Sequence, residues 1–232
     1  MEKKVVVRNY SITDGELVVT GNSLLTSARR DSVEFATRSY TEVKDFAPLA
    51  LEIVAFADLP TDEELRGIQD TATNTKNVGA DNVRVKIRAI MTSTENIYDV
   101  HSGEFKRFGT KGMSHFSDAE LIKCGRRVAR TTTAMLTQLA PQGITATTAT
   151  ALLTAVNSFE TEVDDQLDAI NDRDIATEAR VVKGNSVYAK LIKVANTGKN
   201  IWVTTNEAKH NDYVIYDTPK TAVVPVPPTT EI

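Results

Sequence analysis

Three histidines, one cysteine and a run of carboxylates are the residues most able to do chemistry in this 232-residue chain. His101, His115 and His210 fall in stretches without helical periodicity, and no two of them are three or four residues apart, so no helical His–His metal pair forms. A di-iron bundle site needs Glu-x-x-His on two helices, which the chain does not have. Cys124 falls on an apolar stripe with Leu121 and Val128, where packing is its expected role. A nucleophilic cysteine would need an activating base, and the sequence places none beside it.

The carboxylates Glu160, Glu162, Asp164, Asp165, Asp168, Asp172 and Asp174 open a long helical stretch. They read as a solvated face that complements the positive end of the helix dipole. The spacing of Asp164, Asp168 and Asp172 would also suit a divalent ion. Asp174 differs, because it falls on the apolar stripe beside Arg173. The expectation there is an ion pair that fixes register between helices. Lys123, Arg126, Arg127 and Arg130 form a compact basic cluster, weakly echoed by Arg29 and Arg30. They are expected to face solvent and to pair with the acidic helix, since no aromatics interleave them as nucleic-acid binding would require. The Gly109–Gly112 segment follows no strand and precedes no lysine–serine pair, so it is no phosphate loop. No catalytic residue, metal or cofactor is predicted.

The elements that position these residues are helical. Val5, Val6 and Val7 favour a short extended arm over residues 1–10. Thr13-Asp14-Gly15-Glu16 reads as a capping box for a helix with Leu17, Leu24, Ala28 and Phe35 on one face. Ser39–Glu42 predicts a second box, followed by a helix that Pro48 kinks or delays. Thr61–Glu64 predicts a third, opening a helix to about Tyr98 with Gly79 interrupting it. Residues 99–114 read as a linker. Ser117–Glu120 caps a helix that Pro141-Gln142-Gly143 stops. A Thr- and Ala-rich helix over residues 144–159 leads into Glu160–Trp202, one long helix or two nearly end to end. Gly184 and Gly198 on its stripe are expected to let a neighbouring helix approach. Residues 203–232 read as an extended aromatic and proline-rich tail, with short extended segments at Tyr213–Tyr216 and Ala222–Val224.

The two halves echo each other at an offset of about 104 residues. Ile12–Leu17 falls on Phe116–Leu121, Ile87 on Leu191, and Asn96-Ile97-Tyr98 on Asn200-Ile201-Trp202. Between those anchors the register slips, and Phe56 matches Phe159 best. The expectation is an all-α, pseudo-symmetric bundle of two duplicated three-helix units, residues 11–98 and 115–202, with short extended terminal segments.

Six stretches also resemble uncharacterised helical proteins of Bacteroidota, marine flavobacteria above all. They are Arg8–Tyr10, Phe105–Gly109, Ser117–Leu121, Asp172–Thr177, Gly198–Trp202 and Ala208–Pro219. The resemblance implies an all-α fold and brings no activity or site residue with it.

Bulk properties narrow the function classes. Hydrophobic content of 41% and charged content of 25% are those of a soluble globular chain. A net charge of −4 argues against nucleic acid or an anionic membrane as partner. No apolar run reaches the roughly 20 residues that span a bilayer. One cysteine excludes an internal disulfide, and no signal peptide is evident, so the cytoplasm is the default location. A processed extracellular form stays compatible with the sequence.

The leading expectation is a non-enzymatic structural protein that self-associates, as a filament or large-particle subunit with terminal arms docking on neighbours. Its partner is itself, and no small-molecule ligand is expected. The interface candidates are Val5, Val6, Val7, Phe105, Phe108, Trp202, Tyr213, Tyr216, Val223 and Val224. The alternative is a monomeric or dimeric helical module that docks a protein through its aromatic tails. A metal enzyme using the acidic helix is the third reading.

Overall fold

A computed structural model describes residues 6–216, and helices account for its regular structure. In chain order they are α1 (Asp14–Arg30), α2 (Ser32–Ala36), a π-helical turn (Glu42–Phe46), α3 (Ala47–Ala57), α4 (Asp62–Glu95) and α5 (Gly103–Lys106). A 3-10 turn (Met113–His115), α6 (Asp118–Ala134), α7 (Leu136–Leu139) and a second 3-10 turn (Ala140–Gln142) follow. The chain then forms α8 (Ala146–Trp202) and α9 (Glu207–Asn211). The fold is an all-α helical bundle with no strand among the described residues.

Local chemistry sets the helix ends. Thr13, Thr61 and Ser117 each cap a helix, with Glu16, Glu64 and Glu120 reaching back to the cap backbone. The expected box at Ser39 is not formed. Ser39 instead takes φ 65° and closes α2, its N–H bonded to the Ala36 carbonyl and that of Tyr40 to Phe35. Those two bonds make a Schellman stop, a position that favours glycine. Thr41 then caps the π-helical turn, accepting from the Lys44 N–H. Pro48 sits in the first turn of α3, so the helix starts late and is not kinked.

The expected helix over residues 144–159 and the one following it are a single element of 57 residues, α8. No proline or glycine occurs between Ala146 and Lys183 to break it. The common threonines fit helices because many donate their hydroxyl to the carbonyl four residues back. Thr94 and Thr132, both buried, do so at 2.8 Å.

The chain divides into two compact units. The first is Met1–Leu59 with Glu178–Ile232, and the second is Pro60–Thr177. In the first unit, Leu17, Leu24, Leu25 and Phe35 pack with Phe46, Ile53 and Phe56, and with Val187 and Leu191 of α8. In the second, Val83, Ile87 and Ile90 of α4 pack with Leu121, Cys124 and Val128 of α6, and with Leu152, Val156 and Phe159 of α8. Each unit therefore takes its first helices from one half of the sequence and its long helix from the other.

Buried positions recur at the same offset of about 104 in both units. Leu17 and Leu121, Leu24 and Val128, Phe35 and Leu139, Val83 and Val187, and Ile90 and Val194 are all in their unit's core. Gly21 and Gly125 match as well. A Cβ on Gly21 would stand 2.8 Å from Ile53 Cδ1, and one on Gly125 would stand 2.4 Å from Val156 Cγ2. Both glycines let two helices of the same unit touch.

Residues 99–114 do more than link. Phe108 is fully buried and Met113 nearly so in the second core, and Phe105 packs against it. Gly79 does not interrupt α4. Val6 and Val7 are not in a strand, and Tyr213–Tyr216 run through the end of a turn into a bend instead of forming an extended segment. The Asn185 amide holds the N-terminal segment. It accepts from the Asn9 N–H at 2.7 Å and donates to the Val7 carbonyl at 2.8 Å. Val5, Val223, Val224 and the segment Ala222–Val224 lie outside the described residues.

Candidate functional site

The most concentrated polar chemistry of the first unit surrounds Asp31, which breaks α1 from α2. Its carboxylate is fully buried, yet five donors reach it. Arg30 donates to both oxygens, at 3.0 and 2.8 Å. Lys209 of α9 donates to Oδ1 at 2.8 Å, and its Nζ also lies 3.9 Å from the Trp202 ring centre. The Trp202 indole N–H and the Tyr213 hydroxyl both donate to Oδ2 at 3.0 Å. Arg30 extends the network to Asp212 at 2.7 Å.

Burial opposes the charge on Asp31, but the donors of Arg30, Lys209 and Tyr213 win and hold its carboxyl well below the usual range. The Tyr213 hydroxyl is pushed up by burial and by the carboxylate it bonds. The arrangement is chemically inert. Every lone pair has a donor, and no proton is poised for transfer. Its effect is to fasten the segment after α8 onto the α1–α2 break.

Asp31 was legible as an anomaly. It is the charged position in the apolar series Leu24, Ala28, Asp31, Phe35. In the second unit the matching position holds buried Met135, and the apolar rings of Phe105 and Phe108 lie in the same core. One unit thus closes with a polar cluster where the other closes with hydrophobic packing.

These contacts relocate most of the predicted interface residues. Phe108 and Tyr213 are core residues of their own units, and Phe105 and Trp202 are partly buried against those cores. They are used inside one chain because burying a ring against its own unit's core removes its apolar area from water, and Tyr213 does so by packing over a helix glycine. Gly198 shows this, since a Cβ there would lie 2.2 Å from Tyr213 Cδ1. Gly184 likewise admits Tyr10, whose hydroxyl would be 2.2 Å from such a Cβ. The stripe glycines therefore receive rings from flanking segments, not a neighbouring helix. Tyr216 stays exposed, with its hydroxyl 3.0 Å from that of Tyr188, and Val7 is exposed while Val6 is half-buried.

An exposed apolar face lies on α3, APLALEIVAFA, whose one charged residue, Glu52, pairs with Lys190. Leu49, Ile53 and Phe56 form its buried side. Its outer side is also apolar, with Leu51 71% and Val54 55% exposed and Pro48 and Ala55 beside them.

In the second unit, the first turns of α4 run against the acidic part of α8 and leave a groove of about 610 Å³. Asp165, Asp168 and Asp172 line it with Glu64 and Glu162. Burial, and then the charge of Asp165, push the Glu162 carboxyl up, and its Oε2 is buried without a hydrogen bond. Arg173 does join two helices, but the carboxylate it hydrogen-bonds is not that of Asp174, whose charge also acts on it. It makes a two-pronged pair with Asp62 of α4, at 3.0 and 3.1 Å, and reaches Gln69 at 3.2 Å. Helix geometry explains this. Adjacent residues on a helix point apart, so Arg173 reaches across to α4 more easily than back to Asp174.

The basic cluster pairs in part with the acidic helix, Arg126 with Glu160. Cys124 is buried with its sulfur 3.9 Å from the Gly109 carbonyl, and burial pushes its thiol up, against the thiolate a nucleophile needs. His101 and His115 are exposed and His210 is half-buried. Among the described residues, no group of three or more His, Cys, Asp or Glu side chains could hold a metal ion, and no helix is long and apolar enough to cross a membrane.

Comparison with protein-family models, curated proteins and solved structures finds no match to this chain.

Proposed function

We propose that this chain is a non-enzymatic structural protein that self-associates, with the outer face of α3 as its contact. The observation that carries this reading is that α3 is apolar on both sides. A helix hydrophobic all round is characteristically buried, and here one side meets the core while Leu51 and Val54 meet water. A second copy would cover them. If that contact joins α3 to a different surface of the neighbour, repetition builds an open filament or a large particle; if it joins α3 to itself, it closes as a dimer.

The alternative, a module docking a partner through aromatic tails, is less well supported. Tyr213 and Phe108 are already used internally, which leaves Tyr216 as its exposed tail ring among the described residues.

Sedimentation velocity and electron microscopy over a concentration series test the proposal. Assembly should grow with concentration, and Leu51→Asp with Val54→Asp should abolish it while helix content is retained. A monomer at every concentration, or assembly indifferent to both substitutions, would sink the reading.

A further inference from the structure

The end of α2 and the π-helical turn face α8 across a concavity of about 390 Å³ in the first unit. Arg38 and Lys44 line it from one side, Lys190 and Lys193 from the other. Lys190 is engaged by Glu52. Arg38, Lys44 and Lys193 have no ion-pair partner among the described residues. The one carboxylate in the lining, Asp45, has an oxygen committed to the Thr41 N–H at 2.8 Å. Three cations without an ion-pair partner therefore face one carboxylate, a local excess of two positive charges in a chain whose net charge is −4. Concave walls of low dielectric focus such a field onto whatever enters.

The rest of the lining is apolar and braced. Leu49 and Val194 are buried beneath it. Tyr40 forms a wall, stacked on Phe46 at 6.1 Å and set edge-on to Phe35 at 5.5 Å. The backbone before Tyr40 is fixed by the left-handed Ser39 and the bond from the Tyr40 N–H to Phe35.

We propose that this concavity binds a small organic phosphate monoester, its head held by Arg38, Lys44 and Lys193 and its apolar body against Tyr40, Leu49 and Val194. A phosphate monoester carries close to two negative charges at neutral pH and three acceptor oxygens, which matches the excess of cations better than a single carboxylate does. Lysines act on it as point charges that approach from several directions. Nucleic acid fits poorly, since the site is one small concavity without a row of stacking rings. The proposal departs from the sequence-based expectation of no small-molecule ligand, because Arg38, Lys44 and Lys193 are scattered along the chain. It does not rest on the self-association reading, although Pro48 borders both the concavity and the outer face of α3.

The test is a titration of isotope-labelled protein, kept dilute, with phenyl phosphate, inorganic phosphate and benzoate, followed by amide chemical shifts. Phenyl phosphate should move the amides of Tyr40, Lys44 and Lys193, and the other two probes should bind more weakly. Lys44→Gln and Lys193→Gln should each weaken phenyl phosphate binding by roughly tenfold, the scale of one charge-assisted contact. Lys111→Gln, which removes the same charge in the second unit, should leave it unchanged. Urea midpoints of the variants report separately that each one folds. Absent shifts, shifts centred elsewhere, equal affinity for benzoate, or indifference of a folded variant to either lysine substitution would overturn the proposal.

Discussion

Tyr213 donates its hydroxyl to Asp31 at 3.0 Å across 182 positions of sequence, and both groups are fully buried. The bond belongs to a cluster that leaves Asp31 no unpaired oxygen, so the carboxylate is stabilised only as long as the segment after α8 stays in place. Removing it by Asp31→Ala strands the Tyr213 hydroxyl in the core and the Trp202 indole N–H at its edge. Losing one partner of a buried ionic group costs about 3 kcal/mol, at the low end because Arg30 and Lys209 can regain water. Urea unfolding measures this, and the emission of Trp202, the sole tryptophan, reports whether the segment has come away. The pH dependence has a definite sign. A carboxyl held low when folded stabilises fully above the ordinary carboxylate range and loses that contribution as pH falls toward the lowered value. The Asp31→Ala variant should therefore lose less stability than the parent in that acid window.

Gly21 and Gly125 occupy equivalent places but should respond differently to alanine. Both substitutions gain about 1 kcal/mol of helix propensity. At Gly21 the new methyl meets the end of the Ile53 side chain, which can turn aside. At Gly125 it meets Val156 Cγ2 closer in, on a side chain whose β-branch leaves it one main rotamer in a helix. Gly21→Ala should fall within about 1 kcal/mol of the parent, and Gly125→Ala should be destabilised by about 1–2 kcal/mol through overpacking. Equal thermal midpoints for the two variants would contradict this.

The sequence carried the helices but not their partners. Caps at Thr13, Thr61 and Ser117 and the apolar stripes were readable because each depends on neighbours within a turn or two. The fates of Gly184 and Gly198 were not, because only the fold brings Tyr10 and Tyr213 to them. Arg173 was recognisable as a candidate for an ion pair between helices from its place beside Asp174, which falls on an apolar stripe. Its partner Asp62 was not, since long-range pairing depends on how α4 and α8 are aligned. Asp31 broke the stripe of α1 as visibly as Asp174 broke that of α8. What gives it weight is the convergence of Trp202, Lys209 and Tyr213, which no local pattern encodes. Lys44 and Lys193 share a concavity for the same reason.

Ser39 holds a left-handed backbone at a helix stop where glycine is favoured, with φ 65°. The Cβ strain there is of the order of 1–2 kcal/mol, partly offset in a glycine variant by its freer unfolded chain. Ser39→Gly should stabilise the protein by about 0.5–1 kcal/mol, read as a higher urea midpoint with an unchanged slope. A lower midpoint would mean that the serine side chain makes a contact that outweighs the strain.

Tyr10 connects the N-terminal segment to α8, and its ionisation reports that contact. Burial first, then its 2.8 Å hydrogen bond to the Asp14 carboxylate, push its hydroxyl up to about 12. A group whose folded value is raised stabilises fully below its unfolded value, near 10, and loses that contribution as pH climbs to the folded one. Stability should therefore drop between about pH 10 and 12 more steeply in the parent than in Tyr10→Phe, which cannot ionise there. Gly184→Ala supplies the structural counterpart. Its methyl would occupy the place of the Tyr10 hydroxyl, so the ring must leave. Once in water the phenol should titrate near its ordinary value, and ultraviolet difference absorption would show one more tyrosine ionising early. If the alanine variant keeps the parent's tyrosine titration curve, the N-terminal segment is not held on α8 through Tyr10.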